Sequence, residues 1–396
     1  MVPRQLTPTI QRWSNQYPVV TILGPRQSGK TTLVKLAFPQ HSYINLEDLQ
    51  EQRFAQEDPR GFINRFTNGV IIDEIQNQPT LLRQIQLSVD SMNNPGMFIL
   101  IGSNTHALSA GISQSLAGRT AIAKLLPFTY QELLPYSSGD GHKSSLESYE
   151  ELIWKGMYPR IWEQNLNPSE ALSFYFSTYI ERDVRAMLGI KDLNTFHLFV
   201  KLIAGRVGQI LNLSSLANDV GIAVNTVKEW ISILENSFIL FRLEPFFANL
   251  GKRLIKSPKI YFWDTGLAAW LIGVREPGHI LTHPLKGQLF ENLIVSDLIK
   301  QNMHKNLQFQ FTFFRDSNGN EGDLIVQRGN EYQIIEIKSA TSLPQHGLVS
   351  VNKVQAITKL PGSKVLIFGG EGSWEQQGVE VRGWRESLSM WESEKP

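Results

Sequence analysis

Eight consecutive residues, Gly24-Pro25-Arg26-Gln27-Ser28-Gly29-Lys30-Thr31, put two glycines, a lysine and a hydroxyl at the spacing that cradles a polyphosphate. Glycines let the backbone amides curl around phosphate oxygens, and the start of a helix adds its positive end. In that geometry Lys30 neutralises the outer phosphates, Thr31 offers its hydroxyl to magnesium, and Gly24, Gln27, Ser28, Gly29 and Thr32 complete the nucleotide-binding set. A second element supports hydrolysis. Val70-Ile71-Ile72-Asp73-Glu74 reads as an apolar strand ending in two carboxylates. There Asp73 would hold magnesium through water and Glu74 would orient or deprotonate the attacking water. A third run, 98–104, ends in Gly102-Ser103-Asn104, where Asn104 either reaches the γ-phosphate or lytic water or caps a helix over 106–110. Arg119 is either a finger presented to a neighbouring subunit or one half of a surface salt bridge. ATP with Mg2+ is the ligand these residues select.

A second constellation lies some 300 positions downstream. Gly322-Asp323-Leu324-Ile325-Val326 and Glu336-Ile337-Lys338 read as two strands joined by a hairpin turn. Side chains two apart on a strand share a face, so Glu336 and Lys338 point together and an antiparallel partner brings Asp323 alongside. With Glu291 on the preceding helix, the set has carboxylates for a second divalent ion, Mg2+ or Mn2+, and an ammonium for a water or transition state. That is the chemistry of a metal-dependent phosphodiesterase. Glu-x-Lys on a solvated strand, with no function, is the alternative.

The first set needs a parallel sheet with helices between its strands. Short apolar runs at 19–23, 43–46, 70–73, 98–101 and 121–125 alternate with helical stretches, and their near-continuous apolarity predicts strands covered on both faces. The polar stretch 136–148 predicts a loop closing a first domain over 1–135. Helical character over 149–200 predicts lid or linker helices, with Phe174, Tyr175, Phe176 and Tyr179 as core aromatics. Over 201–284, a helix opened by Ser214 and broken at Gly221, a second helix from Val224 and an apolar run from Phe238 suggest a winged-helix-like region. A separate α/β domain fills 285–396.

Four cations in the nine residues 251–259 are placed to track phosphates, and Asn225, Thr226 and Lys228 face outward on a recognition-type helix, though Glu229 would oppose a DNA backbone. Packing between domains is the other use of such a region. The chain of 396 residues carries a net charge of +1, which supplies no global basic field, so DNA contact rests on local clusters. With 42% hydrophobic and 19% charged residues the composition is that of a globular protein of two or three domains. The absence of cysteine excludes disulfides and thiolate zinc sites and is compatible with a cytoplasmic location. No run reaches the roughly 20 apolar residues of a membrane span, and the N-terminus lacks the pattern of a signal peptide.

Taken together, GPRQSGKTT, VIIDEIQ, GSN followed by SLAGR, GMYPR (156–160), YIERDV (179–184), NLGKRLIKSPKIYFWDTGL (249–267) and GQLFENLI (287–294) resemble bacterial and archaeal AAA+-type ATP-binding proteins with a C-terminal domain of unknown function. The resemblance spans nearly the whole chain. It implies an α/β protein: an AAA+ P-loop core, a helical segment, a winged-helix-like region and a C-terminal domain similar to the restriction-endonuclease-like PD-(D/E)XK nucleases. That last likeness carries to Glu291, Asp323, Glu336 and Lys338, with Gly322 standing where the motif has proline. Two functions follow as expectations. One is an ATPase coupled to a DNA-binding, nuclease-like domain acting in DNA processing or defence. The other is an ATP-gated switch or scaffold that binds a protein partner and cuts nothing. A homo-oligomer is required for Arg119 to act in trans.

Overall fold

A computed structural model describes residues 3–92, 94–102, 111–112, 114–137, 148–180, 192–246 and 256–394. The chain divides into two compact bodies. One comprises Met1–Phe128, Asn236–Phe238 and Met303–Asn306; the other comprises Thr129–Glu235, Ile239–Asn302 and Leu307–Pro396. Apart from Asn236–Phe238 and Met303–Asn306, the segments 149–200, 201–284 and 285–396 therefore lie within the second body.

The first body is built on five parallel strands: β1 (Val19–Leu23), β2 (Ser42–Asn45), β3 (Val70–Asp73), β4 (Phe98–Gly102) and β5 (Thr120–Lys124), in the order β2-β3-β4-β1-β5. Parallel strands need crossovers, and the helices Lys30–Ala37 and Thr80–Met92 supply two of them. β1, β3 and β4 are buried along their length, as their continuous apolar runs predict. β2 and β5 are not; both are edge strands, and β5 alternates buried with exposed positions. Having a neighbour on one side only, they are covered less. Val20 and Ile22 of β1 pack with Leu33 and Val34 of the first crossover helix, Ile71 and Ile99 in one core cluster. Each such side chain contributes about 1.5–3 kcal/mol on burial.

The second body begins with the helix Tyr130–Ser137, which takes in the start of the stretch expected as a loop; residues 138–147 lie outside the described ones. Helices Tyr149–Lys155, Pro159–Glu163 and Pro168–Tyr175 follow. Tyr175 and Phe176 are buried, whereas Phe174, expected in a core, is 65% exposed. Next come the helices Leu193–Ala204, Leu213–Val220 and Val224–Asn236, then an antiparallel pair, β6 (Leu240–Leu243) and β7 (Lys259–Phe262). The second of these helices starts earlier than Ser214 suggests, because Asn212 caps it by accepting from the Ser215 N–H at 3.0 Å. Gly221 ends it in the left-handed region at φ 79°. Val227, Trp230, Ile231 and Leu234 form the buried stripe of the third helix, and Trp230 meets Phe196 and Phe199 edge-on.

The long helix Lys286–Lys305 leads into a six-stranded mixed sheet of β8 (Gln310–Arg315), β9 (Glu321–Arg328), β10 (Glu331–Lys338), β11 (Gly362–Phe368), β12 (Ser373–Gln376) and β13 (Val379–Gly383). The strand order is β12-β13-β11-β10-β9-β8. β8, β9 and β10 are antiparallel neighbours, while β10 and β11 run parallel across the helix Gln345–Thr358. That helix buries Leu348, Val351 and Val354 against Ile325, Ile334 and Leu366. A Cβ at Gly322 would meet Val354 Cγ1 at 3.2 Å, so a larger residue there requires the valine to shift.

Candidate functional site

The P-loop joins β1 to the helix Lys30–Ala37, at the carboxyl ends of the parallel strands, where ligands of open α/β sheets bind. Its curl is held by backbone conformation and by a basic residue outside the motif. Gln27 and Gly29 both have positive φ, 61° and 87°. Arg4 donates to the Ser28 carbonyl (2.6 Å) and the Leu126 carbonyl (2.7 Å), bracing the loop from behind. Lys30 Nζ donates to the carbonyls of Gly24 (2.9 Å) and Pro25 (2.7 Å).

β3 delivers the carboxylates. Thr31 Oγ1 donates to Asp73 Oδ2 at 2.7 Å, and Tyr43 from β2 donates to the same oxygen at 3.0 Å. Asp73 Oδ1 accepts the Glu74 N–H at 3.0 Å. Hydroxyl and carboxylate are thus adjacent, a hard-oxygen pair of the kind that holds Mg2+ beside phosphates. Glu74 sits in the left-handed region at φ 54°, unusual for a residue with a side chain, and its carboxylate is bonded by Gln76. Tyr43 and Arg4 are parts of this site that motif reasoning missed. Neither belongs to a short pattern; only the strand order that puts β2 beside β3 shows where the tyrosine falls. Asn104 lies outside the described residues. Arg119 forms the surface ion pair that was one of its two expected uses, with Nη2 donating to Asp90 at 3.0 Å and Nε to the other oxygen at 2.5 Å.

Burial pushes the Lys30 ammonium down to about 8, against the raising influence of Glu74 and Asp73. Bound phosphates favour the charged form. Nucleotide binding above pH 8 must therefore take up a proton, and affinity is expected to hold steady from pH 6 to 7.5 and then fall, by up to about tenfold per pH unit. A fluorescent ATP analogue titrated across this range checks it; a flat profile to pH 9.5 would contradict the assignment.

The downstream constellation is brought together, with an addition. Lys338 Nζ lies 2.6 Å from Glu336 Oε1 and 3.5 Å from Asp323 Oδ2, and the Ile337 N–H donates to that same aspartate oxygen at 2.8 Å. β9 and β10 pair Leu324 with Ile335, which puts Asp323 next to Glu336. Glu291 is turned to different partners: Lys259 Nζ at 3.0 Å and the Tyr261 hydroxyl. Lys259 is 1% exposed, so it is not part of a phosphate-tracking cluster; of that run, residues 251–255 lie outside the described ones and Lys256 is exposed. Its ammonium also meets Glu321 at 2.6 Å and Asp323 at 3.8 Å. Asn292 anchors this arrangement by accepting the Phe262 N–H (2.7 Å) and donating to the Phe262 carbonyl (3.1 Å), which ties the helix to β7.

Burial raises the Glu336 carboxyl to about 8, with Asp323 adding to the shift and Lys338 opposing it. Burial likewise raises Glu291, against Lys259. For Lys338 burial alone would lower the ammonium, but Asp323 and Glu336 outweigh it and hold it above the usual lysine range. Among the described residues no three His, Asp or Glu side chains are grouped to hold a metal ion. Two ammonium groups, of Lys259 and Lys338, lie among these carboxylates. Two cavities of about 520 and 640 Å3 flank the charged row, the first lined by Asp323, Glu336, Lys338, His346 and Lys353, the second by Gly208, Lys259, Glu291, Glu321 and Lys338.

With a P-loop after β1, β4 between β1 and β3, and a hydroxyl–carboxylate pair at the strand ends, the N-terminal body has the fold of an AAA-type P-loop ATPase. Residues 16–134 match the family model described as an AAA domain. Residues 146–278 and 286–384 match two models described as domains of unknown function, DUF8612 and DUF4143. An uncharacterized protein of Mycobacterium tuberculosis is 28% identical over 375 residues, covering 93% of this chain and 80% of its own. One from Haemophilus influenzae is 23% identical over 389 residues, 92% of each chain. Among solved structures, a Walker-type ATPase of Pyrococcus abyssi aligns with TM-score 0.45 and 14% identity, covering 67% of this chain and 94% of its own. The RuvB Holliday junction branch migration motor of Thermotoga maritima aligns with TM-score 0.33 and 17% identity, covering 61% and 90%. No described helix is long and apolar enough to cross a membrane.

Proposed function

We propose that this protein is a Mg2+-dependent ATPase whose nucleotide state acts on a DNA-contacting, nuclease-like C-terminal region. The observation that carries the ATPase half is the 2.7 Å contact between Thr31 Oγ1 and Asp73 Oδ2, which joins the P-loop helix to the carboxylate strand. Thr31 and Asp73 would hold the magnesium ion, which when bound neutralises phosphate charge. Lys30 binds the outer phosphate oxygens, and the loop amides orient them. Glu74, one residue beyond the strand, positions the attacking water and takes its proton. In an oligomer Arg119 would have to leave Asp90 to reach a neighbouring nucleotide. Phosphate release that requires Mg2+ and is lost in EDTA is the direct test.

The nuclease-like half draws support from the order of its elements: a helix carrying Glu291, three antiparallel strands carrying Asp323, Glu336 and Lys338, a crossover helix, and a parallel strand. DNA contact would fall to Asn225 and Lys228, exposed on the helix Val224–Asn236, and to Lys256. Plasmid incubated with ATP and Mn2+ or Mg2+ is expected to be nicked by the parent and not by Asp323→Ala or Lys338→Ala; equal outcomes for all three would remove cleavage from the function. One observation favours the second reading, an ATP-gated switch that binds a protein partner and cuts nothing. Lys259 lies buried against Glu291 and Asp323, two of the carboxylates a metal would need.

A further inference from the structure

Lys259 belongs by sequence to a basic run, and by structure to an acidic one. Its Nζ is 2.6 Å from Glu321 Oε1, 3.0 Å from Glu291 Oε1 and 3.8 Å from Asp323 Oδ1. Glu321 and Asp323 are two apart on β9 and share a face, and Glu291 approaches from the helix Lys286–Lys305. An ammonium has three donors, and here three carboxylates from two elements surround it.

The placement is built and not incidental. Lys259 opens β7, where it pairs with Leu243 of β6. The next residue is clamped on the other side, with Ile260 N–H donating to the Gln209 carbonyl (3.1 Å) and the Ile260 carbonyl accepting from the Gly208 N–H (2.7 Å). Tyr261 then donates to the same glutamate oxygen that Lys259 holds. Burial by itself would lower the Lys259 ammonium, but Glu291, Tyr261, Asp323 and Glu321 outweigh it and hold it well above its ordinary value, so it stays charged throughout the neutral range.

Four carboxylates, Glu291, Glu321, Asp323 and Glu336, face Lys259, Lys338 and Arg315, the last 2.9 Å from Glu321. A dication entering beside Lys259 would meet a fixed positive charge and carboxylates already neutralised. Glu336 Oε2 is buried, and the nearby Ser350 hydroxyl donates to the Glu321 carbonyl at 3.3 Å.

We propose that Lys259 is a resident counter-ion of the C-terminal carboxylate cluster, occupying the position of a divalent cation so that a metal enters only when the Lys259 side chain is withdrawn. This rests on treating Glu291, Asp323 and Glu336 as metal-type ligands. The C-terminal region in this conformation is a closed form that holds its own cation.

The test is Mn2+ binding to the full chain without nucleotide, followed by electron paramagnetic resonance, so that any contribution of the N-terminal site is common to all proteins compared. Lys259→Met is expected to gain about one Mn2+ equivalent per chain over the parent, lost again when Asp323→Asn is added. A folded Lys259→Met protein with no gain overturns the proposal. A parent that already binds an Asp323-dependent Mn2+ also overturns it, while leaving the metal-site reading intact. If Lys259→Met fails to fold, Lys259→Met with Glu321→Gln removes one charge of each sign. Mn2+ should then raise the melting temperature of that double variant and not of the parent, and no differential shift refutes the counter-ion role. A gain of Mn2+ without plasmid nicking would uphold the counter-ion and count against cleavage alone.

Discussion

Lys30→Ala is expected to abolish ATP turnover and weaken nucleotide binding, and Glu74→Gln to stop turnover while ATP remains bound. The two variants separate because the side chains do different work at one place. Lys30 is buried beneath the loop, its ammonium held by the Gly24 and Pro25 carbonyls, and it provides a positive charge of the P-loop. Removing one such preorganised charge typically costs about 10²–10³-fold in turnover. Ground-state phosphate charge is affected as well, so binding suffers too. Glu74 follows the strand residue that faces Thr31 and is assigned to the attacking water and not to the phosphates, so its amide should leave affinity within a few-fold and lower the chemical step by about 10²–10⁴-fold. Phosphate release together with binding of a labelled nucleotide distinguishes these outcomes. Retained turnover in both would mean that the hydrolytic site lies elsewhere.

Gly24→Ala should be nearly as damaging to the nucleotide site, for a steric reason that a motif does not reveal. Gly24 has no need of positive φ, so alanine is allowed by the backbone. Its Cβ, however, would lie 2.1 Å from the Leu125 carbonyl oxygen. That backbone is not free to yield: the Leu125 N–H donates to the Leu23 carbonyl at 2.8 Å, continuing the pairing of β1 with β5. Either the sheet edge opens or the loop moves away from it. We expect a loss of about 1–3 kcal/mol in stability, the usual range for overpacking, and a loss of nucleotide binding beyond what the lower stability explains. Urea midpoints with and without ATP measure both; a variant that binds ATP as the parent does would show that the loop relocates without penalty. Gly29 is required for a different reason, its φ of 87°, and the two glycines of one motif are therefore not interchangeable.

The N-terminal site was legible because its parts are close in sequence or carried on runs with strong local signals. Gly24 to Thr31 is one loop, and Asp73 and Glu74 end an apolar run whose strand character needs no tertiary information. The contributions of Tyr43 and Arg4 were not legible, since each reaches the site across a fold whose strand order no local pattern encodes. The edge strands were read as covered for the same reason: apolarity announces a strand, and only sheet order says how many neighbours it has.

At the C-terminal constellation the division is sharper. Sequence alone determined that Glu336 and Lys338 share a face and that a hairpin brings Asp323 beside them, because side-chain alternation along a strand is a local property of the chain. Lys259 looked like one of four exposed cations, and a short basic run gives no sign of which lysine will be buried. Tertiary structure decided that, by pairing β7 with β6 and tying Phe262 to Asn292, so that one lysine of the run is carried among Glu291, Glu321 and Asp323. Charge type and spacing are written in the chain, but whether a charge meets water, phosphate or carboxylate depends on contacts between residues far apart in it.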